Sequence, residues 1–159
     1  MPIIILPMHQ DDISEVAGLH SQEFPRQQSS VDWVRCNFAA FPRIMIFVAR
    51  NEKDKIVGYI QWIQKSGFRK EAVLELEQIA VLQNQQGKGV GTQLIKESLS
   101  SIKNYLNDSR SILKAILVST RTDNAAQVFY KKVLGAEEVV VIKNLYSYDE
   151  VIMISRVLS

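Results

Sequence analysis

The hydrophobic pattern of the chain switches repeatedly between the two-residue period of strands and the 3.6-residue period of helices. The apolar run at Ile3–Leu6 predicts a first strand. Apolar residues then recur at helical spacing from Ile13 to His20, with Asp11 or Asp12 as the predicted N-cap. A second helix is predicted after Ser30, a residue that favours helix N-termini.

This second helix places Val31, Val34 and Phe38 at the spacing of an inward-facing stripe. Pro42 is predicted to end it. The helix also carries Cys36, which we expect to be a buried or half-buried small apolar residue.

Three strand-like runs come next. IMIFVAR and IVGYIQWIQ flank the charged loop NEKDK and predict two antiparallel neighbours. The third run, AVLELEQIAVL, alternates strictly and predicts a central strand. Its two faces carry Glu75, Glu77, Ile79 and Val81 on one side and Leu74, Leu76, Gln78 and Ala80 on the other.

The remaining segments alternate between helices and strands. A helix from about Gly89 to Tyr105 is followed by a strand at Ile112–Ser119, and a helix at Asp123–Leu134 stops at Gly135. The runs EEVVVIK and EVIMISRVL predict a closing hairpin. The order β-α-α-β-β-β-α-β-α-β-β predicts an α+β fold of three α/β/α layers, with a mixed, mostly antiparallel sheet of about seven strands and helices on both faces.

Length and composition narrow the class of protein. A chain of 159 residues is the usual size of one domain, so we expect a single domain over residues 1–159. The formal net charge of +2 gives no reason to expect a nucleic-acid or membrane partner. The single cysteine suits a reducing compartment, and the start of the chain lacks the basic n-region of a signal peptide. These features predict a cytoplasmic protein.

The candidate chemistry begins with the glycine-rich stretch VLQNQQGKGVGTQLI, at the junction of the central strand and the next helix. A dinucleotide fingerprint requires a third glycine three residues after the second, where this chain has Thr92 or Leu94. A Walker A loop requires Ser or Thr directly after Gly-Lys, where this chain has Gly89. Both nucleotide-binding motifs are therefore excluded.

Two interpretations of this stretch remain. In the first, Gly87, Gly89 and Gly91 only allow the positive φ values of a tight turn. In the second, the backbone N–H groups at the helix N-terminus bind an anion, with help from the helix dipole and from Lys88. The anion would be a phosphate or a pyrophosphate.

The residues Gln86-Gly87-Lys88-Gly89-Val90-Gly91 resemble the Gln/Arg-x-x-Gly-x-Gly/Ala signature of the GNAT superfamily of acyl-CoA-dependent N-acyltransferases. The resemblance implies that the fourth and fifth strands splay apart and that acetyl-CoA, the cosubstrate, lies between them without any metal. It also implies that backbone groups of the fourth strand bind the pantetheine arm and that the loop binds the pyrophosphate. The implied cofactor-binding residues are Ile79, Ala80, Val81, Gln86, Gly87, Lys88, Gly89, Val90, Gly91 and Thr92.

A second segment, DNAAQVFYKKVLGAEE, is similar to the family pattern Asn-x-x-Ala-x-x-φ-Tyr-x-x-φ-Gly. Ala126 and Tyr130 take the Ala and Tyr positions. Asp123 stands where the family usually has Asn, so a cofactor contact by the adjacent Asn124 is left open. Tyr130 is the implied group that donates a proton or a hydrogen bond to the departing CoA thiolate.

An amine must lose its proton before it attacks a thioester, and for an alkylammonium at neutral pH this costs about 4 kcal/mol. Glu75 and Glu77 are the candidate bases, because two carboxylates on one face of a central strand are unusual in a purely structural element. The alternative is that Arg69 and Lys70 pair with them or that this face is open to solvent. His9 and His20 are expected at the surface or in packing.

The acceptor is not defined by the sequence. Tyr146, Tyr148, Asp149 and Glu150 form either an aromatic and acidic rim for a cationic amine or a solvated turn. We therefore predict an N-acetyltransferase that acts by direct transfer in a ternary complex on a small amine or a peptide amine. The alternatives are a non-catalytic acyl-CoA sensor and a loop that binds another nucleotide phosphate. An exposed edge strand in the closing hairpin would permit a homodimer.

Overall fold

The computed structural model describes residues 2–156, which form seven strands and four α-helices. The strands are β1 Ile4–Pro7, β2 Ile44–Arg50, β3 Ile56–Gln64, β4 Glu71–Val81, β5 Ile112–Arg121, β6 Glu137–Ile142 and β7 Glu150–Arg156. The helices are α1 Ile13–Glu23, α2 Ser30–Ala39, α3 Val90–Asp108 and α4 Ala126–Leu134. The end of the predicted last strand, Val157 and Leu158, lies outside the described residues.

The strands form one sheet in the order β1-β2-β3-β4-β5-β7-β6. Antiparallel ladders join β1 to β2, β2 to β3, β5 to β7 and β6 to β7. The β4–β5 ladder is parallel and runs from Glu71–Ile112 to Leu76–Val118, after which β4 continues to Val81. The predicted mixed sheet, the antiparallel pair β2–β3 and the closing hairpin are confirmed.

The chain divides into two compact units. Unit 1 contains the chain up to Ile63 together with Gln78–Ile102, and unit 2 contains Gln64–Glu77 together with the chain from Lys103 onward. Both β4 and α3 therefore contribute residues to each unit. Among residues 2–156, no helix is long and apolar enough to cross a membrane.

The core of unit 1 is built from α1, α2 and the strands β2 and β3. Every residue of β3 is buried, and Val16 and Val34 bring the two helices into the same apolar cluster. On α2 two predictions are wrong. Val31 is exposed because it lines an open groove of about 500 Å³ between α1 and the start of α2. Cys36 is exposed because it lies two residues, or about 200°, from the buried Val34.

The N-termini of α1 and α2 agree only in part with the predictions. A short 3₁₀ helix, Gln10–Asp12, precedes α1 and is closed by a reciprocal capping box. Asp12 is the N-cap residue of α1, as predicted, but its side chain accepts from the His9 N–H and makes no capping bond to α1. The residue before α2 is Ser29, with φ of +53° and no capping bond from its side chain. Ser30 is therefore the first residue of α2, not its cap.

In unit 2 the C-terminus of α4 agrees with the sequence. Gly135 adopts φ of +63°, and its N–H donates to the Lys131 carbonyl while the Ala136 N–H donates to the Tyr130 carbonyl. This left-handed C-cap is the conformation that favours glycine. The predicted end of α3 at Tyr105 is too early, because the next residue, Leu106, is still buried as part of the helix.

Candidate functional site

The glycine loop of unit 1 has the backbone geometry of an anion-binding turn. Gly87 and Gly89 adopt φ of +74° and +84°, whereas Gly91 lies in the first turn of α3. A Cβ atom at Gly87 or Gly89 would meet nothing within 4 Å. These two positions therefore require glycine for the backbone conformation and leave open space above the loop.

The start of α3 supplies backbone N–H groups as hydrogen-bond donors. The first helical bond runs from the Gln93 N–H to the Gly89 carbonyl at 3.0 Å. The N–H groups of Val90, Gly91 and Thr92 precede this bond and have no carbonyl partner within the helix. Together with the positive end of the helix dipole and the exposed Lys88, they favour a bound phosphate oxygen. The tight turn and the anion site that the sequence left as alternatives thus have the same geometry.

The Gln86 side chain links this loop to the end of β4 by a hydrogen bond. Its side-chain amide donates to the Val81 carbonyl at 2.9 Å and lies 3.5 Å from Glu23 Oε2. The strand also lies close to β3, where an added Cβ at Gly58 would lie 2.9 Å from the Ala80 carbonyl oxygen. Of the three predicted pantetheine-binding residues, Ala80 is buried and Ile79 and Val81 are half-buried on the opposite face.

A partly buried polar network holds Gln78, the residue just before this segment. The Gln78 side-chain oxygen accepts from Trp33 Nε1 and from the Tyr59 hydroxyl, each at 3.0 Å. Its amide nitrogen donates to Gln27 Oε1 at 3.1 Å. The same Gln27 oxygen lies 2.8 Å from Nε2 of His20, a side chain that is 0% exposed.

The indole of Trp33 sets the direction of the whole chain of hydrogen bonds, because an indole N–H can only donate. Gln78 must therefore present oxygen to Trp33 and its amide nitrogen to Gln27, which in turn presents oxygen to His20. It follows that His20 Nε2 carries a proton. In the neutral ring Nδ1 then accepts from the Ser30 hydroxyl at 2.8 Å.

In unit 2, Tyr130 lies on α4 and is 7% exposed. Burial raises the pKa of its hydroxyl to about 12. The neighbouring Phe129 ring is half-buried, with its centroid 5.6 Å from that of Tyr130. Within residues 2–156 the structure records no hydrogen-bond partner for the Tyr130 hydroxyl. The side chain is therefore a neutral donor throughout the physiological pH range.

The two β4 carboxylates both lie on the half-buried face of the strand, as the alternation predicts. Glu75 forms an ion pair with Lys65, at 2.9 Å between Oε2 and Nζ. Of the partners considered from the sequence, Arg69 has another contact, because its side chain donates to the Ser66 carbonyl at 2.8 Å.

The remaining predicted residues have structural partners of their own. Asn124 accepts a hydrogen bond from the Ala126 N–H at 2.9 Å, but the N-cap residue of α4 is Ala125. Its contact with a cofactor stays a prediction. Thr92 is half-buried in the first turn of α3.

The two acidic side chains at the turn between β6 and β7 are both hydrogen-bonded, so the turn presents less free negative charge than its sequence indicates. Glu150 is buried and accepts from the Ser119 hydroxyl at 3.0 Å, and Asp149 accepts from the Asn144 N–H at 2.9 Å. The Arg121 guanidinium lies 3.6 Å from the centroid of the Tyr148 ring. Both carboxylates are thus engaged within unit 2, and one aromatic face is already covered by a cation.

Several of the residues in these contacts were not predicted, among them Gln27, Trp33, Tyr59, Lys65, Ser119 and Arg121. None of them stands in a motif. The one signal available was Gln78, a polar residue on the buried face of an otherwise apolar strand. Among residues 2–156, no group of three or more His, Cys, Asp or Glu side chains is placed to hold a metal ion.

Comparison with known proteins gives the family. The chain resembles Ard1 from Thermoplasma volcanium, with 18% identity, TM-score 0.81 and 100% of both chains covered. It also resembles an aminoglycoside 6'-N-acetyltransferase complexed with coenzyme A, with 16% identity, TM-score 0.77 and 98% of both chains covered. For the ribosomal-protein-S18-alanine N-acetyltransferase from Escherichia coli the values are 18% identity and TM-score 0.74, covering 99% of this chain and 97% of that one.

These three similarities show the fold. No curated protein sequence matches the chain significantly. The sequence model of the acetyltransferase (GNAT) domain matches residues 42–133, which include β4, the glycine loop and most of α4. Since this match spans more than half of the chain, the protein belongs to the GNAT acetyltransferase family.

Proposed function

We propose that the protein is an acetyl-CoA-dependent N-acetyltransferase that transfers the acetyl group directly to a primary amine in a ternary complex. The observation that carries the proposal is the glycine loop, in which two positive-φ glycines precede a helix start whose first three N–H groups have no carbonyl partner within the helix. Amides of this loop hold the pyrophosphate of acetyl-CoA. Backbone groups of Ile79–Val81 bind the pantetheine arm and polarise the thioester carbonyl.

The reaction forms a bond between the amine nitrogen and the acetyl carbon, breaks the bond between that carbon and sulfur, and releases CoA as a thiolate. A thiol has a pKa of about 8.5, roughly three to four units below that of Tyr130, so complete proton transfer would cost about 5 kcal/mol. Tyr130 therefore acts as a hydrogen-bond donor that stabilises the departing thiolate, and the thiolate takes its proton from water.

The Glu75 carboxylate forms an ion pair with the Lys65 ammonium group. We favour Glu77 as the base because it lies two residues, or about 6.6 Å, nearer along β4 to the segment proposed to bind the thioester. It accepts the amine proton directly or through a water molecule.

We further propose that the acceptor is the α-amine of a peptide or protein rather than a polycationic small molecule. The carboxylates of the β6–β7 turn are engaged, and the Arg121 guanidinium, which is ion-paired with Asp123, covers the Tyr148 ring, so this surface has little to attract a polycation. An α-amine has a pKa near 8, so its deprotonation at pH 7 costs only about 1.4 kcal/mol. Such an acceptor suits a site without a histidine base. Among the solved structures of similar fold, the S18-alanine enzyme and the NatC complex with a Gag peptide also act on or bind peptide substrates.

Calorimetric titration with acetyl-CoA tests the cofactor site. In Gly89→Glu, strain at a positive φ and a negative charge beside the pyrophosphate should weaken binding by at least about 100-fold. The matched control is Gly67→Glu, since Gly67 also has positive φ and open space around its Cβ position but lies in another loop. Equal binding by wild type and Gly89→Glu, or no binding by a folded wild type, would overturn the proposal.

Acceptor preference needs a separate assay. Peptides with a free N-terminus should have kcat/KM at least about tenfold above that of spermidine or an aminoglycoside, and N-terminally blocked peptides should be inert. Activity on spermidine alone would contradict the acceptor class while leaving the acetyltransferase proposal intact. Binding of acetyl-CoA without transfer to either class would instead favour an acyl-CoA sensor.

A further inference from the structure

β6 is an edge strand with both faces uncovered. It lies at the end of the strand order, so among the strands of residues 2–156 only β7 pairs with it. Five of its six residues are exposed, and the three consecutive valines Val139, Val140 and Val141 are 61%, 46% and 38% exposed. Because neighbouring residues of a strand point to opposite faces, consecutive exposed valines mean that neither face is packed. Such an edge is a template for another strand.

The edge at the other end of the strand order, β1, is protected from this kind of pairing. It has only four residues, Pro7 ends it, and Pro2 precedes it by two positions. Proline cannot donate a ladder hydrogen bond and is a common device for protecting an edge. β6 has six residues and no proline. Its ladder with β7 has one irregularity, between Glu138 and Val140, after which Val140, Val141 and Ile142 pair regularly.

The charges around the valines indicate which partner fits. β6 begins with Glu137 and Glu138 and is followed directly by Lys143, and all three are exposed. When two copies of a strand pair in antiparallel orientation, the start of each lies against the end of the other. With Val140 opposite Val140, Glu137 faces Lys143, and with Val140 opposite Val141, Glu138 faces Lys143. The strand is therefore complementary to itself in either register.

We propose that β6 is a self-association surface, through which two copies of the chain pair antiparallel about a two-fold axis and extend the sheet. A two-fold interface requires one patch that is complementary to itself, and an apolar centre with an acidic start and a basic end meets that requirement. The valines supply the buried contact and the ends set the orientation. This inference concerns the assembly of the chain and does not depend on the proposed acetyl transfer.

The mass in solution tests the proposal. Sedimentation of the protein over a wide range of concentrations should show a rise from the mass of one chain to that of two. Val140→Lys, which puts a charge in the middle of the strand, should raise the dissociation constant at least about tenfold. A mass of one chain at every concentration would overturn the proposal, whatever the catalytic activity.

A charge swap distinguishes self-pairing from non-specific association. The pair Glu137→Lys with Glu138→Lys, and separately Lys143→Glu, should each weaken the dimer because like charges then face each other. The triple variant should restore wild-type dimerisation. Lys132→Glu, an exposed lysine on α4, is the control and should leave the mass unchanged. Failure of the triple variant to recover would contradict pairing through β6, and circular dichroism checks that each variant is folded.

Discussion

In unit 1 the polar groups next to the predicted cofactor segment form one network, whereas in unit 2 Tyr130 and Glu75 are held by simpler contacts. Gln78 has three hydrogen-bonded partners within unit 1, and Gln86 links the glycine loop to β4. In unit 2, the Tyr130 hydroxyl is buried among apolar groups, and Glu75 forms a partly exposed ion pair with Lys65.

This difference between the units corresponds to two tasks, cosubstrate binding and the chemical step. Holding a long cosubstrate uses backbone groups, which must be fixed in place by their neighbours, and a network does this. Donating a hydrogen bond or taking a proton uses one side chain, whose pKa is set by its surroundings. Substitutions in unit 1 should therefore change stability and the KM for acetyl-CoA, whereas substitutions in unit 2 should change kcat.

Tyr130→Phe should give the largest effect on the chemical step. Loss of the hydroxyl should lower kcat by about 100- to 1,000-fold while the KM for acetyl-CoA stays within about threefold, because the ring is retained. Tyr146→Phe, at a tyrosine that is 75% exposed, is the control and should match wild type. A rise in the KM for acetyl-CoA with unchanged kcat would mean that Tyr130 contributes to cosubstrate binding. It would contradict the expectation that substitutions in unit 2 change kcat.

Gln78→Leu tests the network of unit 1. It leaves Trp33 Nε1 and the Tyr59 hydroxyl without this acceptor, so the free energy of unfolding in urea should fall by about 3 kcal/mol. Gln83→Leu, at an exposed position in the same part of the chain, should change it by less than about 0.5 kcal/mol. Equal stability of the two variants would mean that the network contributes little to holding β4.

The pH dependence of stability at alkaline pH tests the burial of the Tyr130 hydroxyl by itself. Its pKa rises from 10.0 in the unfolded chain to about 12 in the fold, so its contribution to stability is fully present below pH 10 and is lost as the pH rises toward 12. This difference corresponds to about 2.7 kcal/mol. Tyr130→Phe should therefore lose stability less steeply than wild type between pH 10 and 12, as measured by urea unfolding. Parallel curves would indicate that the hydroxyl is solvated.

The two glutamates of β4 should differ by a smaller amount. Glu77→Gln should lower kcat by about tenfold or more, with a loss of the acidic limb of the pH–rate profile. Glu75→Gln should change kcat by less than about threefold and stability by less than about 1 kcal/mol, because its ion pair with Lys65 is partly exposed. The reverse order would identify Glu75 as the base.

Most of the local structure and part of the candidate site could be predicted from the sequence. The alternation of β4, the positive φ of Gly87 and Gly89 and the left-handed cap at Gly135 each depend on residues close together in the chain, and each was predicted. The ion pair of Lys65 with Glu75 and the burial of Glu150 depend on which strands become neighbours. The exposure of Cys36 depends on how far the packing of α2 extends. None of these three can be read from periodicity alone.

β4 alternates between buried and half-buried residues without interruption from Ala72 to Val81. One face carries the apolar residues and Gln78, and the other carries both glutamates and two of the residues proposed to bind pantetheine. Because the period is two, deletion or insertion of a single residue near Leu74 would shift the frame of the strand and exchange the two faces. Point replacements along β4 thus affect one role at a time, but a one-codon change in length would send the carboxylates into the core and remove packing and chemistry together.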